Sequence, residues 1–385
     1  MINDQIILPG STLGMLGGGQ LGGFFAEAAL RMGYKVAVWD PDPSAPAKRF
    51  AYKKFDGDFQ DVHIQKEFSK VSDAISLEWE NVPATLVSNL EKQNIVRPGS
   101  NSLSLAQHRA SEKKFLTSNG FPVTNYEVIE NKEEFTNIEI ELPWIVKTAT
   151  LGYDGHGQWK VTSSSDKKNI SDNVTGSGPW IVEKVVNYDL ELSVIVASDG
   201  KGKLIPYPPT ENIHENNILR LSLNPGRFSN LVAERAKDLA CQVIKSIGDP
   251  GLFCVELFLD TGGNLLVNEI APRPHNSGHH TMDVFSVSQY EQQVRALCGL
   301  PLINPNRLNN SVLLNILGEE HNALQNSKSI NAILEDSAVR IYSYGKSNVR
   351  KNRKMGHVMF LSQPIEELLR IAEKVHDFMK NQGPN

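Results

Sequence analysis

The chain has 385 residues, 40% of them apolar and 22% charged, with a net charge of −5 and a pI near 6.1. This is an ordinary globular composition, long enough for about two or three domains, and it lacks the basic bias of a nucleic-acid binder. No apolar run approaches the roughly 20 residues of a membrane span, and Met1-Ile2-Asn3-Asp4 lacks a secretory signal's basic start, so a cytoplasmic protein is expected, with Cys241, Cys254 and Cys298 as buried reduced thiols.

From Ser11 to Asp40 the pattern reads strand (Thr12 to Leu16), glycine turn, helix (Phe24 to Met32) and strand (Lys35 to Trp39), a βαβ unit. A further strand, Asp73 to Leu77, runs into Glu78-Trp79-Glu80-Asn81, which places carboxylates at a strand's carboxyl end, where α/β sheets bind ligands. Residues 1–110 are therefore expected to form an open α/β domain. A helix over Ser111 to Gly120, strands Trp144 to Lys147 and Trp180 to Glu183, and a helix over Leu231 to Ile247 make 111–300 an α+β middle. Strands Ser311 to Leu317 and Ala338 to Tyr344, a basic loop and a helix over Ile365 to Met379 predict a small third unit over 301–385.

The segment Phe253 to His280 carries the strongest chemical signal. If Asp260 pairs with Leu265 across the turn Thr261-Gly262-Gly263-Asn264, Glu256 falls opposite Glu269 on one sheet face. Like charges directly opposite are destabilising, so unless one is protonated or both are solvated the pair asks for a cation, and oxygen ligands shared with phosphates favour magnesium. Arg273 and the donor-rich His275-Asn276-Ser277-Gly278-His279 follow, a loop suited to an anion.

Gly17-Gly18-Gly19-Gln20-Leu21-Gly22 with Asp40 downstream satisfies the dinucleotide fingerprint, but glycines at a helix start admit any phosphate, or merely a tight turn. Lys147 closes an apolar strand and is followed by glycines 152, 155 and 157, a loop able to fold over a triphosphate or to remain a plain hairpin. The extended segment Glu183 to Val186 can read an adenine edge through free backbone groups, and Glu191 can accept from ribose hydroxyls. His214, in a polar context, reads as a solvated histidine. Lys346, Arg350, Lys351, Arg353 and Lys354 crowd a loop that is either a solvated face or a cover for phosphate or bicarbonate.

In order, Lys147, the glycine loop, Glu183, Glu191, Glu256 and Asn268-Glu269…Arg273 resemble the ATP-grasp fold. Gly17 to Gly22, Gly152-Tyr153-Asp154-Gly155-x-Gly157-Gln158, Asn268-Glu269-x-Ala271-Pro272-Arg273-x-His275-Asn276-Ser277-Gly278-His279 and Gly345-Lys346…Arg353-Lys354-x-Gly356-His357 resemble, over nearly the whole chain, the N5-carboxyaminoimidazole ribonucleotide synthase family. The resemblance implies a biotin-carboxylase-like α/β domain, an ATP-grasp domain whose two subdomains clamp ATP, a small C-terminal domain, and a homodimer. It implies carboxylation of 5-aminoimidazole ribonucleotide by ATP and bicarbonate through carboxyphosphate, with the product passing to a mutase.

It also implies site roles. Arg109, Lys147, Gly152, Tyr153, Asp154, Gly155, His156, Gly157, Gln158, Glu183, Lys184, Val185, Val186, Glu191, His214, Asn268 and Glu269 surround ATP. Glu256 and Glu269 hold Mg2+. Gln20, Glu80, Tyr153, Asp154, His275, Asn276, Ser277, Lys346 and Arg353 hold the ribonucleotide, with Glu80 preferred to Glu78. Asp154, Arg273 and Lys346 serve catalysis, Asp154 by handling the amine proton. His156 stands where many family members carry arginine, and a largely neutral imidazole cannot replace bidentate phosphate binding. Rival expectations are another acyl-phosphate ATP-grasp ligase such as the formate-dependent glycinamide ribonucleotide transformylase, a regulatory nucleotide-binding module without turnover, and an NAD-dependent enzyme.

Overall fold

The computed structural model describes residues 5–150, 157–335 and 338–380. Five parallel strands, β1 (Thr12–Leu16), β2 (Lys35–Trp39), β3 (Lys53–Phe55), β4 (Ala74–Leu77) and β5 (Ile95–Val96), form the first sheet in the order β3-β2-β1-β4-β5. The glycine turn after β1 leads into a helix that starts earlier than its apolar run suggests, at Gln20, and ends at Arg31. Its Phe25, Ala26 and Ala29 are fully buried, and the same cluster takes in Tyr290, Val294 and Leu297 of the helix Gln289–Cys298. The first unit is thereby packed onto the second through a continuous apolar core.

The middle of the chain contributes two sheets. The small one is antiparallel, β6 (Tyr126–Ile129), β9 (Trp180–Lys184), β7 (Trp144–Thr148) and β8 (Gln158–Val161) in that spatial order, with Trp144, Trp180 and Phe135 buried in its core. The large one begins with β10 (Tyr188–Ser198), β11 (Leu204–Pro206), β12 (Thr210–Glu215), β13 (Ile218–Asn224), β14 (Gly251–Asp260) and β15 (Leu265–Ala271). It continues without a break into β16 (Ser311–Leu317), β17 (Val339–Ser343) and β18 (Lys354–Leu361), in the order β15-β14-β10-β12-β13-β16-β18-β17 with β11 beside β10. The third unit is therefore built on the second unit's sheet, with the helix Ile365–Lys380 covering it.

Local details depart from expectation by small amounts. The helix expected from Ser111 runs Arg109–Ser118, and Cys241 is only partly buried whereas Cys254 and Cys298 are fully so, all three being free thiols. Among the described residues no helix is long and apolar enough to cross a membrane.

Candidate active site

A cleft of about 1100 Å³ opens between the small sheet, the large sheet and the carboxyl end of β4, and the basic loop before β18 forms one wall. Its floor is the β14–β15 hairpin. Glu256 does pair with Glu269, but not through the simple register: Leu259 pairs with Leu265 and Leu257 with Val267, so a β-bulge at Asn268 brings Glu269 back opposite Glu256. The extra residue puts Asn268 and Glu269 side by side on the cleft lining, the re-aiming that bulges perform.

The two carboxylates differ electrostatically. Burial works against the charged form of Glu256, but His275 Nε2, 2.8 Å from its Oε1, with His214 and Arg273 nearby, holds it below the usual carboxylate range. Glu269 is walled in by protein yet open to the cleft, and burial together with the charge on Glu256 pushes it up. A carboxylate driven toward protonation by its neighbour is the charge pattern a divalent cation relieves. Among the described residues no group of three or more His, Cys, Asp or Glu side chains gathers to hold a metal. The two carboxylates would suit a magnesium ion, which commonly takes only one or two carboxylates from the protein.

A lysine pair faces this floor. Lys147, at the end of β7, is ion-paired to Glu183 of β9, and Lys113 Nζ lies 3.3 Å from the other oxygen of the same carboxylate. Burial would raise Glu183, but Lys147 and Lys113 hold it down at about 2. Lys113 also donates to the Asn268 carbonyl at 2.7 Å, tying the helix Arg109–Ser118 to the bulge. Beside it, Glu112 accepts the Ile270 amide at 2.6 Å, and burial and Glu269 push it up to about 8. Lys113 and Glu112 escaped the sequence reading, although Arg109, Glu112 and Lys113 stand at i, i+3 and i+4, one face of a helix. Arg109 lines the cleft and donates to the Thr148 carbonyl at 2.9 Å.

Glu183, Lys184, Val185, Val186, Glu191, His214 and Gln158 line the same cleft. The Lys184 and Val185 amides are already donated to Asn125 and Pro143 carbonyls, and the Lys184 carbonyl accepts from Thr124, so the segment offers a purine fewer open groups than its sequence suggests. His214 is no solvated histidine. Its Nδ1 lies 2.7 Å from Glu191 Oε2, and Glu191 raises its pKa despite burial, which alone would lower it. Gly157 adopts φ +70°, where a Cβ would stand 2.7 Å from Thr148 Oγ1. Gly152, Tyr153, Asp154, Gly155 and His156 lie outside the described residues.

The glycine turn after β1 overturns its motif reading. Its amides are taken by the protein's own acids: Gly22 donates to Glu78 Oε2 at 2.8 Å, Gly19 to the other Glu78 oxygen, and Gly18 to Asp40 at 2.7 Å. A Cβ on Gly19 would stand 2.6 Å from Glu78 Oε1, so glycine there makes room for an internal carboxylate instead of a phosphate. The dinucleotide and phosphate readings of this turn both fall on that geometry. Glu78 is thereby separated from Glu80, which points across the cleft and forms a two-pronged ion pair with Arg273, Nη2 to Oε1 at 2.9 Å.

In the loop after β15, Gln20 donates to Asn276 at 3.3 Å and His275 Nδ1 lies 2.7 Å from Ser277 Oγ, while Ser277 itself is buried off the cleft lining and meets Ser193 of β10 at 2.6 Å. Asn276 also meets His279, which stacks on His357 at 4.5 Å, binding all three units behind this loop. Lys346 and Arg353 line the opposite wall; Lys346 donates to the Lys354 carbonyl at 2.9 Å and Arg353 to the Asn348 carbonyl at 2.6 Å. One cleft therefore holds a carboxylate floor, Lys147 backed by the buried Lys113, and the cationic side chains of the loop before β18.

Three successive stretches of the chain match known families. Residues 11–107 match a ribonucleotide synthetase preATP-grasp domain, 114–290 an ATP-grasp domain, and 311–371 a phosphoribosylaminoimidazole carboxylase C-terminal domain. The chain is 37% identical to the N5-carboxyaminoimidazole ribonucleotide synthase of Bacillus subtilis over 384 residues, 99% of each chain. The chain belongs to the N5-carboxyaminoimidazole ribonucleotide synthase family. A synthase of Brucella melitensis is 34% identical over 91% of this chain and 96% of its own. The Staphylococcus aureus synthetase complexed with ADP superposes with a TM-score of 0.90 at 31% identity, covering 97% and 99% of the two chains. The Aspergillus clavatus synthase in complex with ADP and 5-aminoimidazole ribonucleotide does so at 0.88 and 25% identity, covering 99% and 100%. The glycine turn lies within the stretch that matches the preATP-grasp domain.

Proposed function

We propose that this protein converts 5-aminoimidazole ribonucleotide, bicarbonate and ATP into N5-carboxyaminoimidazole ribonucleotide, ADP and phosphate, the activity of its family. The observation that carries the reading is the bulged hairpin, which sets Glu256, Glu269 and Arg273 on the floor of a cleft that also holds Lys147 and Lys346. Bicarbonate is a poor electrophile. An oxygen of bicarbonate attacks the γ-phosphorus, the bond from that phosphorus to the β,γ-bridging oxygen breaks, and ADP leaves with carboxyphosphate in place. The ribonucleotide amine then bonds to the carboxyl carbon, directly or as released carbon dioxide, the carbon–oxygen bond to phosphate breaks, and the amine gives up a proton.

The residues bind and orient more than they react, as phosphoryl transfer requires. Magnesium held by Glu256 and Glu269 would supply charge neutralisation for the phosphates. Lys147 contributes a point charge that Glu183 keeps aimed, and Arg109, Asn268, Glu191 and His214 complete the ATP end. Gln20, Glu80, His275, Asn276, Ser277, Lys346 and Arg353 serve the ribonucleotide, with Tyr153 and Asp154 from the glycine loop, Asp154 taking the amine proton. The proposed organisation divides the chain at about residues 110 and 300, in a cytoplasmic homodimer whose product is used by the N5-carboxyaminoimidazole ribonucleotide mutase.

The test is ADP release with each substrate omitted in turn. Release should need magnesium and rise when aminoimidazole ribonucleotide and bicarbonate are both present. Stimulation by formate with glycinamide ribonucleotide, and none by the aminoimidazole, would transfer the assignment to the rival ligase.

A further inference from the structure

Arg273 is the cation expected to meet the transferring phosphoryl group, yet three of its N–H groups, one on each guanidinium nitrogen, already donate elsewhere. Nη2 donates to Glu80 Oε1 at 2.9 Å, Nε to the other Glu80 oxygen, and Nη1 to the Pro274 carbonyl at 2.9 Å. Glu80 comes from the first unit and Arg273 from the end of the hairpin, so the pair spans the cleft between them. The backbone around Glu80 is fixed, because Gln107 Nε2 donates to the Glu80 carbonyl at 2.7 Å and to the Val82 carbonyl at 2.6 Å. The side chains are the movable part: that of Glu80 keeps 28% of its surface exposed and that of Arg273 14%.

We propose that Glu80 is a positioning residue that withholds Arg273 from the phosphoryl group until the ribonucleotide amine is in place, so that ATP is not spent on bicarbonate without an acceptor. The inference rests on the carboxylation reading above. Its logic is one of paired charges. If ATP alone drew Arg273 away, Glu80 would be left as an uncompensated charge in a walled site; if the amine alone displaced Arg273, the guanidinium would be stranded instead. With both ligands present the guanidinium moves to the polyanion while the carboxylate, still charged, accepts a hydrogen bond from the neutral amine, which replaces part of what it loses. A two-pronged pair suits this role because it holds firmly against either ligand singly.

The experiment measures ADP release by Glu80→Gln at saturating ATP, magnesium and bicarbonate, with and without aminoimidazole ribonucleotide. The variant should release ADP without the ribonucleotide at least about tenfold faster than wild type, and its stimulation by the ribonucleotide should fall toward unity. Calorimetry should show the affinity ratio of ATP to ADP rising severalfold, since only ATP presents the γ-phosphate to the freed guanidinium. Glu80→Asp, which keeps the charge but withdraws it by one methylene, carries the same test should the first variant not fold. An unchanged ribonucleotide-independent rate together with an unchanged affinity ratio overturns the proposal. A wild-type enzyme that the aminoimidazole does not stimulate overturns the carboxylation reading instead, and the affinity ratio then still decides whether Glu80 restrains Arg273.

Discussion

His214 Nδ1 lies 2.7 Å from Glu191 Oε2 on the neighbouring strand, both of them on the lining of the cleft. Burial lowers an imidazole's pKa, but Glu191 more than offsets it, and the folded value stands above the ordinary 6.5. The charged pair is thus fully formed below pH 6.5 and is lost as pH rises through the raised folded value. The Michaelis constant for ATP should rise over that upper range, and His214→Gln should remove the dependence. Steady-state kinetics across pH for both proteins check this; parallel profiles would remove His214 from the ATP site.

Glu78 caps the glycine turn from inside, so its role is structural. Glu78→Ala leaves the Gly19 and Gly22 amides without their partner and should cost roughly 2–4 kcal/mol of stability, read from urea unfolding. The Michaelis constant for ATP should change little in whatever fraction stays folded.

Glu269→Gln should cut turnover by about a hundredfold or more, since metal-held charge is worth several kcal/mol in the transition state. Folding should survive, because the substitution also removes the repulsion that Glu256 exerts on Glu269. Magnesium titration of ADP release and thermal unfolding together check both halves; normal turnover at wild-type magnesium would leave the hairpin pair a surface feature.

Arg353 and Lys346 line the cleft from the loop before β18. Arg353→Ala deletes a cation that would be bound to the ribonucleotide phosphate in both ground and transition states, so the Michaelis constant for the ribonucleotide should rise by about tenfold or more while that for ATP holds. A change confined to ATP would move the ribonucleotide elsewhere in the cleft.

The sequence made the carboxylate pairing legible because alternation across a short turn is a two-residue periodicity, and Glu256 and Glu269 do face each other. The bulge that achieves it was not legible, since an extra residue in a strand leaves no mark in polarity. The glycine turn misled for a physical reason: a motif records where backbone amides lie open, not which anion fills them, and Glu78 is 59 residues away from Gly19 in the chain. His214 and Glu191 likewise meet only because β10 and β12 pair, and no local polarity pattern distinguishes such a histidine from a solvated one. Lys113 was within reach, because helical spacing alone puts it beside Arg109.

The ladder between β13 and β16 has a consequence for how this polypeptide can be divided. Leu221 pairs with Leu314 and Leu223 with Val312, all of them buried. A truncation ahead of Ser311 would not shed a dispensable module. It would strip one whole flank from the central sheet and leave β13 as a raw, apolar strand margin, the kind of surface that templates self-association. Gene fusions and domain swaps that cut at this junction should therefore yield insoluble protein, whereas joins placed beyond Lys380 leave the sheet whole.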